Sequence, residues 1–137
     1  EKMVERGHGY ILNMSSYSIW MPLPGLTIYS ASKDYLKSFS RAYAKEVRER
    51  GVTVTAVCPA GVATDLYGLP RDWQRFGCRI GVLITAEKCA RQALRAMYRR
   101  KKVYVPAAWF RIFVPILTCL PKPITDFARK HTLRFQK

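Results

Sequence analysis

Between Ile28 and Arg50 the chain contains neither proline nor glycine, and a short β-rich run stands on each side of that stretch. Upstream, Tyr10-Ile-Leu-Asn-Met14 is an apolar run of strand length that follows the turn Gly7-His-Gly9. Downstream, Val52-Thr-Val-Thr-Ala-Val57 is rich in β-branched residues and begins at once after Gly51. In the central stretch Tyr35, Leu36, Phe39, Tyr43 and Val47 recur at helical spacing, which predicts an apolar face, while Lys37, Arg41, Lys45 and Arg48 fall elsewhere. Gly51 is placed to end the helix in a left-handed cap. A strand, a helix and a strand with no room for a hairpin make a βαβ unit. Such a unit implies two parallel strands, a right-handed crossover and an open α/β sheet.

The remainder is less regular. Pro59 to Gly81 has no strong period and reads as a long connection of the kind that forms lids or binding segments. Thr85 can cap a helix from Ala86 to about Arg99, with Ala90, Ala93, Leu94 and Met97 on its inner face. Val103-Tyr-Val105 then forms a short strand stopped by Pro106. Ala107 to Leu120 is almost wholly apolar apart from Arg111, but Pro115 interrupts it, and a membrane span needs about 20 apolar residues. Ile124 to Phe135 is amphipathic and basic, with Phe127, Leu133 and Phe135 among Arg129, Lys130 and Arg134.

The net charge of +15 is concentrated at the C-terminal side. Residues 1–87 carry eleven basic and eight acidic side chains, whereas residues 88–137 carry thirteen basic side chains against Asp126 alone. Such asymmetry suits an acidic partner, an anionic membrane surface or a solvated basic face. No nucleic-acid motif accompanies it, so nucleic acid is not expected as a partner. Cys58, Cys78, Cys89 and Cys119 show no C-x-x-C spacing, which argues against a metal site and for packed free thiols in a reducing, cytoplasmic setting. His8 and His131 are isolated and read as surface or turn residues. The first residues resemble the end of a surface helix, without an initiator methionine, so the sequence is expected to begin inside a longer protein.

Chemistry concentrates around Tyr29-Ser-Ala-Ser-Lys33, with Ser16 thirteen residues before the tyrosine. Ser16 follows the first strand, and Tyr29 opens the helix, where an open α/β sheet places its active site. Tyr29 and Lys33 share a helix face. A phenol is a weak base at neutral pH, but a nearby ammonium favours its ionised form, and a serine hydroxyl can hold the same substrate oxygen. The chain holds a second tyrosine–lysine pair of this spacing, Tyr98-Arg-Arg-Lys-Lys102, with Thr85 thirteen residues upstream. No strand is expected before Thr85, and the pair reads as a basic helix terminus.

Three segments together, Gly9-Tyr-Ile-Leu-Asn-Met-Ser-Ser16, Tyr29-Ser-Ala-Ser-Lys33 and Val57-Cys-Pro-Ala-Gly-Val-Ala-Thr64, resemble the C-terminal half of the short-chain dehydrogenase/reductase family. The motifs cover roughly residues 5–65, and the order of elements extends the resemblance to about residue 106. It implies a Rossmann-like, doubly wound parallel sheet over residues 1–106, followed by a partly apolar, basic helical extension over 107–137. By resemblance Ser16 positions the substrate carbonyl, Tyr29 donates or accepts the proton, and Lys33 binds the nicotinamide ribose and lowers the tyrosine pKa. Pro59, Ala60, Val62 and Thr64 match the turn that contacts the nicotinamide end, with Ala60 where glycine is usual and Gly61 next to it. Residues 65–83 correspond to the variable substrate-binding loop. The implied activity is hydride transfer between NAD(P)(H) and a carbonyl or secondary alcohol of lipophilic character, with NADP placed ahead of NAD.

No Thr-Gly-x-x-x-Gly-x-Gly turn occurs in the sequence. The pyrophosphate site and the residue that separates NAD from NADP belong to that missing part, so the fragment alone is expected to be inactive. Family resemblance implies a homodimer or homotetramer. The alternative expectation is a non-catalytic binding or membrane-surface module, cytoplasmic with peripheral membrane contact, acting through residues 107–137.

Overall fold

A computed structural model describes residues 1–20, 25–65, 68–106, 110 and 112. It is built around a three-stranded parallel sheet in the order β1 (Gly9–Met14), β2 (Val52–Val57), β5 (Val103–Tyr104). The expected βαβ unit is present. Gly9 pairs with Val52 and the register runs without a slip to Met14 opposite Val57, all parallel. β5 joins the other edge of β2 only at its C-terminal end, where Ala56 faces Val103 and Val57 faces Tyr104. The connection between β1 and β2 is α2 (Thr27–Glu46), which gives way to a 3-10 turn at Arg48–Arg50 before Gly51. The α-helix therefore ends earlier than Arg50, while Gly51 adopts the expected left-handed conformation at φ 74°. Any Cβ there would overlap the carbonyl oxygen of Gly7, so the turn depends on glycine twice over.

Strand alternation places helices on both faces of the sheet. Ile11 packs against the buried cluster of Ala44, Val47, Val52 and Val54 beneath α2, and a short N-terminal helix α1 (Lys2–Glu5) adds Met3 and Val4 to it. The neighbouring residue Tyr10 points the other way and meets Tyr98 of α4 (Ala86–Tyr98), ring edge to face at 5.3 Å. A doubly wound arrangement follows.

Several expectations about faces need correction. α2 buries Ser30, Ser40 and Ala44, whereas Tyr35 and Phe39 are exposed and stack in a row with Tyr43. Small residues let the helix approach the sheet closely, so the aromatic stripe is turned aside. Ser40 is fully buried because its hydroxyl is satisfied on both sides, donating to Leu36 O at 2.6 Å and accepting from Asn13 Nδ2 at 2.9 Å. On α4 the buried residues are Cys89, Ala93, Ala96 and Met97, so Ala90 and Leu94 lie off the inner face. Thr85 does cap α4, its hydroxyl accepting from Lys88 N at 3.2 Å.

The segment from Pro59 to Gly81 is more ordered than its lack of period suggests. It contains β3 (Gly61–Ala63) and α3 (Arg71–Arg79), and β3 forms a separate two-stranded parallel ladder with β4 (Leu83–Thr85). A strand therefore does precede Thr85, contrary to expectation. Both strands have three residues, too short for alternation to register in sequence. The tail segments 113–137, with Cys119 and His131, lie outside the described residues, as do Pro22, Pro24 and Arg111. No helix among the described residues is long and apolar enough to cross a membrane.

Candidate functional site

Because β1 and β2 run parallel, their C-terminal ends lie side by side, and the two loops that leave them share one end of the sheet. One loop carries Ser15 and Ser16; the other carries Pro59 to Thr64. They are joined directly, since Ser15 N donates to Val57 O at 2.7 Å and Tyr17 N donates to Pro59 O at 2.8 Å.

The helix is fastened to this end by a reciprocal pair of bonds. Lys33 Nζ donates to Met14 O at 3.0 Å, and Ser15 Oγ donates to Lys33 O at 2.7 Å. Lys33 thus spans from the second turn of α2 to the last residue of β1. Its ammonium lies 5.6 Å from the centre of the Tyr29 ring, so the two members of the motif are brought together as their spacing requires. Tyr29 remains 40 % exposed, which leaves its phenol reachable from solvent or by a ligand. Ser16 is half-buried at the same strand end, and its hydroxyl accepts from Ser18 N at 3.2 Å. That bond uses one lone pair, and among the described residues no acceptor takes the O–H, which can therefore be donated to a ligand.

The second tyrosine–lysine pair is placed quite differently. Tyr98 packs on Tyr10, and Lys102 precedes β5, on the far side of β2 from β1, its carbonyl accepting from Ala56 N at 2.9 Å. Geometry therefore separates the two copies of the spacing.

The residues after β2 have mixed surroundings. Pro59 is buried, and Ala60 packs beside the cluster of Tyr17, Cys58 and Val105. Gly61 opens β3, where a Cβ would overlap Leu83 Cδ2, so this glycine serves the approach of β4. Val62 pairs with Ile84 in that ladder, and Thr64 follows it half-buried.

Sequence reasoning missed Ser15, which is 4 % exposed and does the fastening, because two adjacent serines look alike until burial distinguishes them. It also missed the packing around Tyr17. The Tyr17 hydroxyl donates to Phe110 O at 2.8 Å, its ring meets those of Trp20 and Phe110, and burial pushes its pKa up. Lys37 bonds Asp34 at 2.6 Å and lies over the Trp20 ring. Burial pushes the Cys58 thiol up, against the Ser15 hydroxyl and the Lys37 charge, while Asp34 adds to the rise. Cys58, Cys78 and Cys89 are free thiols, and no metal-binding cluster occurs among the described residues.

The donor set suits the end of a nicotinamide nucleotide. An ammonium has three N–H groups, and with one committed to Met14 O two remain for the adjacent hydroxyls of a ribose. The phenol beside it can reach the same region.

A family profile described as short chain dehydrogenase matches residues 1–75. The human very-long-chain 3-oxoacyl-CoA reductase is 52% identical over 64 residues, covering 47% of this chain and 20% of the relative. The hydroxysteroid dehydrogenase-like protein 1 of Gallus gallus is 36% identical over 107 residues, 78% of this chain and 31% of its own length. Among solved structures, a short-chain dehydrogenase from Sphingobium yanoikuyae in complex with NADPH superposes with a TM-score of 0.66 at 24% identity, covering 99% of this chain and 49% of that one. The chain thus spans less than a third of these curated relatives and about half of the solved one.

Proposed function

This chain belongs to the short-chain dehydrogenase family, and from that premise we propose that Ser16, Tyr29 and Lys33 form the acid–base half of an oxidoreductase site for a carbonyl or secondary alcohol. The supporting observation is the placement of Lys33, bonded to the end of β1 at 3.0 Å and 5.6 Å from the Tyr29 ring. A bound NAD or NADP would accept or supply the hydride. Lys33 and Tyr29 would hold its ribose, and Pro59, Ala60, Val62 and Thr64 would flank its nicotinamide end.

In the reducing direction Tyr29 gives its phenolic proton to the substrate oxygen, and that oxygen becomes the alcohol. Ser16 donates its free O–H to the same oxygen and fixes it near the phenol. The Lys33 ammonium stabilises the negative charge that develops on the phenol oxygen as the proton leaves. In the oxidising direction each transfer reverses, and Tyr29 takes the proton.

A lipophilic substrate is supported by Trp73 and Phe76, which are 64% and 54% exposed on α3 and border a cavity with Asp72. The human relative's name, a reductase of very-long-chain 3-oxoacyl-CoA, favours a ketone within an acyl chain. Turnover is proposed to require a glycine-rich phosphate turn, which this sequence does not contain.

The test uses a fusion of this chain to a dinucleotide-binding N-terminal half from a relative. Tyr29→Phe should lower turnover roughly 10²–10⁴-fold while leaving dinucleotide binding largely intact, because Lys33 still holds the ribose. Tyr98→Phe should leave turnover as it is. Wild-type turnover in Tyr29→Phe, or an equal loss in Tyr98→Phe, would show that the wrong residues were chosen.

A further inference from the structure

At the end of the sheet away from the serine loop lies a cavity of about 310 Å³ whose lining includes Ala44, Arg48, Gly51, Val52 to Val54, Arg100 and Lys102. Three features of this cavity bear on what it could hold. First, its cations converge from two separate elements: Arg48 from the turn after α2, Arg100 and Lys102 from the turn between α4 and β5. Among the described residues the ion pairs are Lys37–Asp34 and Arg75–Asp72, so none of these three cations is neutralised by a carboxylate. Lys101, the remaining lysine of the turn, is occupied over the Tyr104 ring at 5.9 Å. Glu49, beside Arg48 in the chain, does not line the cavity.

Second, among the described residues no strand pairs with the first half of β2 on that side. The ladder with β5 starts only at Ala56, whose N–H donates to Lys102 O at 2.9 Å. Val54 lines this stretch but is itself buried, at 1 % exposure, so the charge on the cavity comes from the side chains at its rim. Third, Arg100 has φ 53°, the only non-glycine residue at positive φ among the described residues. Glycine or asparagine ordinarily fills such a position, so a guanidinium is held there in a conformation that a turn alone would assign to another residue.

We propose that this cavity binds a phosphate-bearing anion, its oxygens held by the Arg48 and Arg100 guanidiniums and the Lys102 ammonium. Guanidinium forks match the geometry of phosphate oxygens, and unpaired cations at a concave surface concentrate anions. The site is distinct from the Tyr29–Lys33 end, since it sits where β2 begins and the chemistry lies where β1 and β2 finish.

Amide chemical shifts of the chain, followed during titration with inorganic phosphate and glycerol 3-phosphate at constant ionic strength, test the proposal. Saturable shifts should centre on Gly51, Val54, Arg100 and Lys102. Arg100→Gly combined with Lys102→Gln should weaken binding at least tenfold, and glycine at position 100 accepts the turn's positive φ, so the fold is retained. A parallel arm measures binding to vesicles containing phosphatidic acid. Response to the soluble phosphates identifies a small phosphorylated ligand, and response to vesicles alone identifies a lipid headgroup; either, when lost in the double variant, supports the site. Shifts scattered over the surface, an unchanged affinity in the double variant, or no binding in either arm would overturn it.

Discussion

Ser15 and Ser16 are neighbours in sequence with opposite roles, and exchanging each for alanine should separate stability from turnover. Ser15→Ala removes the hydroxyl bond to Lys33 O at 2.7 Å and the contact with the Cys58 thiol. Lys33 lies inside α2, so its carbonyl keeps the helical bond from the next turn and is not left unpaired. The loss is therefore that of one neutral buried hydrogen bond plus a weak thiol contact, about 1–2 kcal/mol. For a chain of this size that corresponds to a fall in Tm of roughly 3–10 °C. Ser16→Ala removes an acceptor for Ser18 N at 3.2 Å in a half-buried loop, and its effect on stability should stay within about 0.5 kcal/mol. Turnover should respond in the reverse order. Losing the donor to the substrate oxygen should lower it roughly 10²–10³-fold, while Ser15→Ala, assayed well below its Tm, should retain most of it. Thermal melts of the chain and nicotinamide absorbance in the fusion give the two readings. If Ser16→Ala melts low and Ser15→Ala does not, the structural division is wrong; if Ser15→Ala loses as much turnover as Ser16→Ala, the catalytic assignment is wrong.

Thr55 is fully buried in β2, and its hydroxyl has no hydrogen-bond partner among the described residues. Thr55→Val keeps the β-branched shape and removes an unsatisfied polar group, so urea unfolding should show a gain of about 1–2 kcal/mol, and a loss would reveal that the hydroxyl is satisfied. Burial raises the pKa of both Cys58 and Cys89. Below the unfolded thiol value of about 8.5 both states hold the proton and stability is unaffected; above it the unfolded chain sheds the proton first, so stability should decline as pH rises towards the folded values. Replacing both residues with alanine should flatten that decline between about pH 8 and 9.5, and an unchanged slope measured by denaturant melts at each pH would refute the assignment.

The central βαβ unit was legible because its signals agree at every level. A proline- and glycine-free run, β-branched flanks and Gly51 each specify the same arrangement, and the strands are long enough for their composition to show. Orientation of α2 was not legible from hydrophobicity. Tyr35, Phe39 and Tyr43 form the stronger apolar pattern, yet Ser30, Ser40 and Ala44 face the sheet because close approach needs small side chains and Ser40 finds partners in Asn13 and Leu36. β3 and β4 were missed for a related reason: three-residue strands are decided by tertiary pairing, here of Gly61 against Leu83, and leave no period. At the candidate site, helical spacing put Tyr29 and Lys33 on one face, but Tyr98 and Lys102 share that spacing, so the choice between them rested on the βαβ context. The strand before Ser16 did not by itself distinguish it from Thr85, since β4 precedes Thr85 as well; what distinguishes the copies is that Lys33 reaches back to β1 and Tyr98 packs on Tyr10.

That reach back has a consequence for how the site is held. The position of the Lys33 ammonium is set by two distances, the approach of α2 to the sheet and the advance of α2 along β1. Ser30, Ser40 and Ala44 set the first by their size, and the Asn13–Ser40 bond of 2.9 Å helps to fix the second. The bonds of Lys33 and Ser15 then connect the end of β1 to the second turn of the helix, where an error of an ångström would matter most to a proton transfer. Residues that touch no substrate thus determine where Tyr29 and Lys33 stand. A serine-bearing inner face on a helix of this length, poor by hydrophobic pattern, accordingly helps to hold the pair on which the proposed chemistry rests.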